Sequence, residues 1–216
     1  MQGRLEKALA EIETALSLSR RNPSAPGYAL ATHILDVADL LQEMEKLKEA
    51  EEYYQQVANG YEFDNYDKQW AWTGLAQVSI ERSDLQTAEQ RALKSLELAR
   101  GIESPEPMMH AYDVLGDVYW KQERIEPAIT AKIQAWHYAR QPKVERDLFD
   151  LYLDFAEIRL YQARQSNPTR YIPKAQQWLH RSLPLAIRLD RQVNSIERQT
   201  KIRDLQNQCA ELRSDR

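Results

Sequence analysis

Small side chains recur along this sequence at nearly fixed intervals, at Ala38, Ala76, Gly116 and Ala156, which lie 38, 40 and 40 residues apart. A second series, Ala50, Ala88 and Ala128, follows the first three members at a constant offset of twelve residues. After Ala156 the partner is Ala175, nineteen residues on, so seven extra residues fall in the loop that holds Asn167 and Pro168. Self-similarity on this length scale is the mark of stacked supersecondary units. A small residue at both points of each unit lets two helices of one hairpin approach closely, as ridge-into-groove packing requires.

The local patterns agree with a chain of helices. Glycine and proline gather at Pro23, Pro26 and Gly27, at Gly101, Pro105 and Pro107, at Pro142, and at Pro168 and Pro173. Between these points Ala, Leu, Glu, Gln, Lys and Arg dominate, with apolar residues three and four apart. Ten helices are predicted, over about 3–20, 28–45, 47–59, 66–82, 84–100, 107–122, 125–140, 143–165, 171–189 and 191–213. No stretch alternates in the manner of a strand, so the fold class is all-α. Pro184, inside the ninth segment, predicts a kink or a break there.

Around the first series of small residues a motif repeats. Tyr112-x-x-Leu115-Gly116-x-x-Tyr119 is its best copy, and Trp72-x-x-Leu75-Ala76-x-x-Ser79 and Ile34-x-x-Val37-Ala38-x-x-Leu41 follow it. On these residues the chain resembles the tetratricopeptide repeat family up to about residue 190. The resemblance implies a right-handed superhelical solenoid of antiparallel helix hairpins. It divides the chain into a half repeat over 1–22, full repeats over about 28–60, 66–100, 107–140 and 143–190, and a capping helix over 191–216. The repeat length near 40 is similar to the long-helix variants of kinesin light chains and of bacterial regulatory and peptide-sensing proteins. The fourth copy, Tyr152-x-x-Phe155-Ala156-x-x-Arg159, carries a charge where an aromatic is usual. The opening segment, with Ala8 and Ala15 at the small positions, reads as a second helix without its first, which leaves part of an apolar face to be covered. In the last segment Val193, Ile196, Ile202, Leu205, Cys209 and Leu212 form the apolar stripe of a solvating cap.

Several function classes find no support. With 43% hydrophobic and 29% charged residues the chain is too apolar to be disordered. No apolar run approaches the roughly 18 residues of a membrane span, and no targeting segment is present. A single cysteine, Cys209, rules out an internal disulfide and fits a reducing, cytoplasmic setting. It falls on the apolar stripe of the last helix, where a small buried hydrophobe is expected rather than a nucleophile. His33, His110, His137 and His180 lie on four different segments without metal-ligand spacing, and no phosphate loop or nucleophile elbow occurs. No cofactor, metal or catalytic residue is therefore expected, and the chain reads as a non-enzyme. The acidic pairs Glu11 with Glu13 and Glu51 with Glu52 are expected on solvated helix faces.

The family resemblance implies that the first helix of each hairpin lines a concave groove. Carried onto this sequence, the groove residues are Leu35, Asp39, Gln42 and Glu43; Trp70, Thr73, Gln77, Ile80 and Glu81; His110, Asp113, Asp117, Trp120 and Lys121; and Asp150, Leu153, Glu157 and Tyr161. That lining is acidic and aromatic, with Trp70 and Trp120 as anchor candidates, whereas Trp72, Trp136 and Trp178 fall at seam positions. Family members that recognise acidic chaperone tails carry a Lys/Asn-rich carboxylate clamp, and Asp39, Asp113, Asp117 and Glu157 at the corresponding positions would repel such a tail. Charge is also uneven: residues 158–216 hold 12 Lys/Arg against 5 Asp/Glu, leaving 17 against 28 for residues 1–157. The basic residues spread over three helices and are interrupted by Asp190, Glu197 and Asp204, which disfavours nucleic acid. The expected function is a protein-interaction scaffold or adaptor that takes a basic, apolar partner segment into the groove. The alternatives are a self-associating assembly protein, a homo-oligomer formed through the half repeat or the basic end, and a sensor segment of a larger bacterial-type regulator.

Overall fold

A computed structural model of the chain describes residues 2–22, 27–139, 145–192 and 196–214. Among them are ten helices and no strand: α1 (Gln2–Arg21), α2 (Gly27–Glu43), α3 (Leu47–Asn59), α4 (Asn65–Glu81), α5 (Leu85–Ala99), α6 (Pro105–Lys121), α7 (Ile125–Ala139), α8 (Glu145–Gln165), α9 (Pro168–Gln192) and α10 (Glu197–Ser214). The helix count and order match the sequence expectation, and the chain divides into two compact units, Met1–Arg124 and Ile125–Arg216.

In the first unit, side chains and backbone both fix where helices start and stop. The carboxylates of Asp64 and Asp84 accept from the backbone N–H groups of Asp67 at 3.0 Å and Thr87 at 3.2 Å, capping α4 and α5. Pro105 opens α6, where its missing N–H costs nothing. Three helices end in one backbone device. Glu45, Ser83 and Glu123 each adopt φ of 60°, and the pairs of bonds Glu45 N–H to Gln42 O with Lys46 N–H to Leu41 O, and their counterparts at Ser83 and Asp84 and at Glu123 and Arg124, form the same Schellman closure. These turns recur 38 and 40 residues apart, so the repeat is written in the backbone as well as in the side chains.

Packing follows the two series of small residues. Ala38, Ala76, Ala50, Ala88, Ala128, Ala156 and Ala175 are all fully buried. In the first unit one core joins Leu16, Ile34, Val37, Leu41, Tyr54, Val57, Phe63, Leu75 and Val78, and a second joins the alanines of α5 to Val114, Leu115 and Val118. Leu9 and Ile12 of α1 pack on the first core, while Leu18 stays 60% exposed. Thus the half repeat covers its main stripe against α2 and leaves one large apolar side chain open.

Two polar features tie neighbouring hairpins. Glu51, expected on a solvated face, instead binds both Arg82 and Arg91, and Arg91 also donates to Leu75 O at 3.1 Å and Ser79 Oγ at 2.8 Å. The correction has a simple cause: helix α3 turns Glu51 toward α4 and α5, where two guanidinium groups converge, while its neighbour Glu52 remains exposed. In the interior, Gln69 Nε2 donates toward Thr73 Oγ1 and Ser95 Oγ, both at 3.0 Å, and lies 3.3 Å from Pro107 O, linking α4, α5 and α6.

In the second unit α8 and α9 form a hairpin whose core includes Phe149, Leu153, Leu160, Ile172, Leu179 and Leu189, and α10 adds Ile202, Leu205 and Cys209. The cap stripe is therefore core over these three residues; Ile196 is 71% exposed, and Val193 lies outside the described residues. No break occurs at Pro184: α9 continues through Pro173 and Pro184 as one helix of 25 residues. Asp190, fully buried near the end of α9, accepts from the backbone N–H groups of Gln199 at 3.1 Å and Arg198 at 3.4 Å and so caps α10 from a distance. Burial pushes its carboxyl up, but the hydrogen bonds from Gln199 and Arg198 together hold it below the usual carboxylate range. Lys132, 1% exposed, reaches Asp154 at 2.6 Å and pins α7 to α8.

Candidate functional site

A cavity of about 600 Å³ opens on the first unit, between the first helices of its hairpins. From α2 it is lined by Thr32, Leu35, Asp36, Asp39, Gln42 and Glu43; from α4 by Tyr66, Asp67, Trp70, Thr73, Gly74, Gln77 and Glu81; and by Tyr54 of α3 and His110 of α6. A smaller hollow of about 300 Å³, lined by Ile80, Asp117, Trp120 and Lys121, shares Gln42, Gln77 and Glu81 with it. Thirteen of the eighteen residues named from sequence thus lie around one continuous trough.

The floor is built on Tyr54. Its ring lies against Gly74, where an added Cβ would fall 2.3 Å from two ring atoms, so only glycine admits the ring at this place. The Tyr54 hydroxyl donates to Asp39 and lies 3.0 Å from Gln42 Oε1, while Gln42 Nε2 donates to Glu81. Burial and the adjacent carboxylate keep the phenol protonated, far above its ordinary range. One wall is aromatic: Trp70 stands over His110 with ring centroids 4.4 Å apart and meets the edge of Tyr66 at 6.3 Å. Trp70 therefore packs on a neighbouring helix and also faces the cavity.

The cavity is charged in one sense. Asp36, Asp39, Glu43, Asp67 and Glu81 border it, and none of its lining residues is Lys or Arg. Among the described residues these five carboxylates enter no ion pair. Desolvation raises the carboxyls of Asp36, Asp39 and Asp67 above their ordinary value; the Tyr54 bond at Asp39 and the charge of His33 at Asp36 offset this only in part. A surface that gathers five carboxylates, with His33 beside Asp36 as a counter-charge, favours a cation of matching size.

Thr32, Asp36, Tyr54, Tyr66, Asp67 and Gly74 also line the cavity and are not among the residues named from sequence. Tyr54 belongs to a second helix, whose residues the groove rule leaves out, and Gly74 acts through the ring it admits. Thr73 lies at the trough but is 5% exposed, its hydroxyl held by Gln69 and Ser95. Asp113 is half-buried on α6 and lines neither hollow. The remaining four belong to the second unit. Leu153 is a correction: it is 1% exposed inside the core, because α8 is covered on that side by α9. Glu157 is bonded to Lys201 of α10 at 3.6 Å, so the cap helix reaches the face expected to be open, and burial raises its carboxyl. Asp150 is exposed and Tyr161 half-buried. Trp72, Trp136 and Trp178 are all half-buried; Trp178 stacks on Phe155 at 4.7 Å beneath Arg181.

Residues 1–62, under a third of the chain, match the sequence profile of the tetratricopeptide repeat family. Over those residues the chain is similar to the tetratricopeptide repeat family. Beyond the profile, the likeness is to solved structures. BtubC (BKLC) from P. vanneervenii is 15% identical, with a TM-score of 0.66 over 98% of this chain and 91% of that one. A putative kinesin light chain of Podospora anserina, with nearly identical TPR-like repeats, is 13% identical, with a TM-score of 0.56 over 88% and 90%. At such identities the likeness is one of fold. No curated protein matches the sequence. Tetratricopeptide repeats are protein-interaction scaffolds, and among the described residues no helix is long and apolar enough to cross a membrane and no group of side chains is suited to hold a metal ion.

Proposed function

We propose that this repeat protein is an adaptor whose first unit holds a segment of a partner protein in the acidic, aromatic trough between α2, α4 and α6. One observation carries the reading: five carboxylates and four aromatic rings surround about 600 Å³ without a single Lys or Arg. A segment with basic residues neutralises Asp36, Asp39 and Asp67, and its apolar residues bury against Trp70 and, in the smaller hollow, Trp120 and Ile80. Large aromatic anchors in desolvated hollows are where interface energy concentrates.

The test is calorimetric titration with a library-selected peptide that alternates basic and apolar residues, against a scrambled acidic control. Trp70→Ala and Glu81→Lys each weaken binding tenfold or more, because truncating one anchor costs about 2 kcal/mol. Equal affinity for the basic and the acidic peptide, or no loss in either variant, sinks the assignment. Binding also weakens on acidification, since protonating the raised carboxyls removes the charge that the peptide reads.

A further inference from the structure

The second unit carries a surface complementary to this trough. Helix α9 exposes Arg170, Lys174, Arg181, Arg188 and Arg191, spaced 4, 7, 7 and 3 residues apart, so all five fall on one face. Its single carboxylate, Asp190, is buried and committed to the start of α10. Tyr171 lies under Arg170 and Lys174, and Trp178 under Arg181, which holds these cations to the helix surface. On the acidic side, α2 has no Lys or Arg and places Asp36, Asp39 and Glu43 on the trough, with Asp36 and Glu43 again seven residues apart. Seven residues of helix rise about 10.5 Å. The cations of α9 and the carboxylates of α2 therefore advance by the same step.

We propose that a partner for the trough is a second copy of this chain, which lays the basic face of its α9 along the acidic α2 side of the trough. The proposal rests on the reading of the trough as a docking site for basic segments. Charge favours a second copy over a nucleic acid: residues 1–157 carry 28 Asp/Glu against 17 Lys/Arg, so the chain that bears the basic helix also bears a field that repels polyanions and attracts its own basic end. The contact joins unlike surfaces, so it is head-to-tail and can propagate beyond two copies.

Sedimentation velocity of the full chain decides the matter, at about 0.01 M salt, where charges act over roughly 30 Å, and at about 1 M, where the reach falls to roughly 3 Å. Concentration-dependent association at low salt that disappears at high salt is expected. R181E/R188E makes both surfaces acidic and D36K/E43K makes both basic. Each variant alone is monomeric at low salt, circular dichroism verifies that it is folded, and an equimolar mixture of the two associates again. Wild type that stays monomeric at low salt, or a mixture that fails to associate, overturns self-docking. Binding of duplex DNA that R181E/R188E abolishes, without self-association, assigns α9 to nucleic acid instead. The basic-peptide titration separates these failures from failure of the trough itself: peptide binding that persists in a monomeric wild type leaves the adaptor reading intact.

Discussion

Replacing Gly74 by alanine places a methyl group 2.3 Å from two atoms of the Tyr54 ring, against ordinary contacts at 3.4–4 Å. The ring must move by more than an ångström, yet it is 1% exposed and its hydroxyl is tied to Asp39 and Gln42. Overpacking of this kind costs about 1–3 kcal/mol, and tearing the buried hydroxyl from a charged acceptor about 1.5–3 kcal/mol more. Alanine in a helix interior returns about 1 kcal/mol. The balance is a loss of about 1.5–5 kcal/mol, read as a lower urea midpoint of the transition followed by tryptophan fluorescence. Tyr54→Leu supplies the control. In that background the clash is gone, and Gly74→Ala becomes neutral or stabilising by up to about 1 kcal/mol, giving a large coupling energy between the two sites. If Gly74→Ala stabilises the protein with Tyr54 in place, the account of the cavity floor is wrong.

Three further outcomes follow from other parts of the fold. Ser83→Gly relieves a left-handed backbone that costs an L-residue about 1–2 kcal/mol while adding about 0.4–1 kcal/mol of unfolded-chain entropy, so a modest rise in melting temperature is expected, and Glu45→Gly and Glu123→Gly should behave alike. Lys132→Met removes the ammonium from Asp154, whose side chain is 32% exposed and turns to water, so it lowers the urea midpoint less than Lys132→Ala, which also leaves a void in the core. Asp190→Ala uncaps α10 and costs about 1–3 kcal/mol at neutral pH. Because the folded carboxyl of Asp190 titrates below its unfolded value, its stabilisation is present above pH of about 4 and lost as pH falls through the folded value, so wild type and variant converge in acid.

The hairpins could be read from the sequence because a single constraint, close helix approach, forces a small residue at each seam, and Ala38, Ala76 and Ala156 with Ala50, Ala88 and Ala175 obey it. The groove residues on α2, α4 and α6 were named from the family resemblance, and most of them border the two hollows. What stayed hidden depends on partners far along the chain. Glu51 looks like any surface glutamate until α4 and α5 bring Arg82 and Arg91 to it, 31 and 40 residues on. Lys132 has no local reason to be buried, and a partner, Asp154, comes from the next helix. Pro184 failed as a breaker because tertiary packing of Leu185, Ala186 and Leu189 in the core holds α9 together through it. The turns at Glu45, Ser83 and Glu123 escaped notice because each puts an ordinary polar residue where glycine is the usual signal.

The double clasp of Glu51 also bears on how this protein comes apart. In a stacked array each hairpin is held by its own stability and by its contact with the next. Glu51 reaches from α3 to arginines at the end of α4 and within α5, so it strengthens the contact between two hairpins rather than either one alone. Opening one of the two then exposes a carboxylate or two guanidinium groups on the other, and the pair tends to unzip as a block. Helix α1 lies outside that clasp: Leu9, Ile12 and Leu16, the Ser19–His33 contact and the Arg20–Gln56 bond join it to α2 and α3, so its opening need not break the Glu51 contacts.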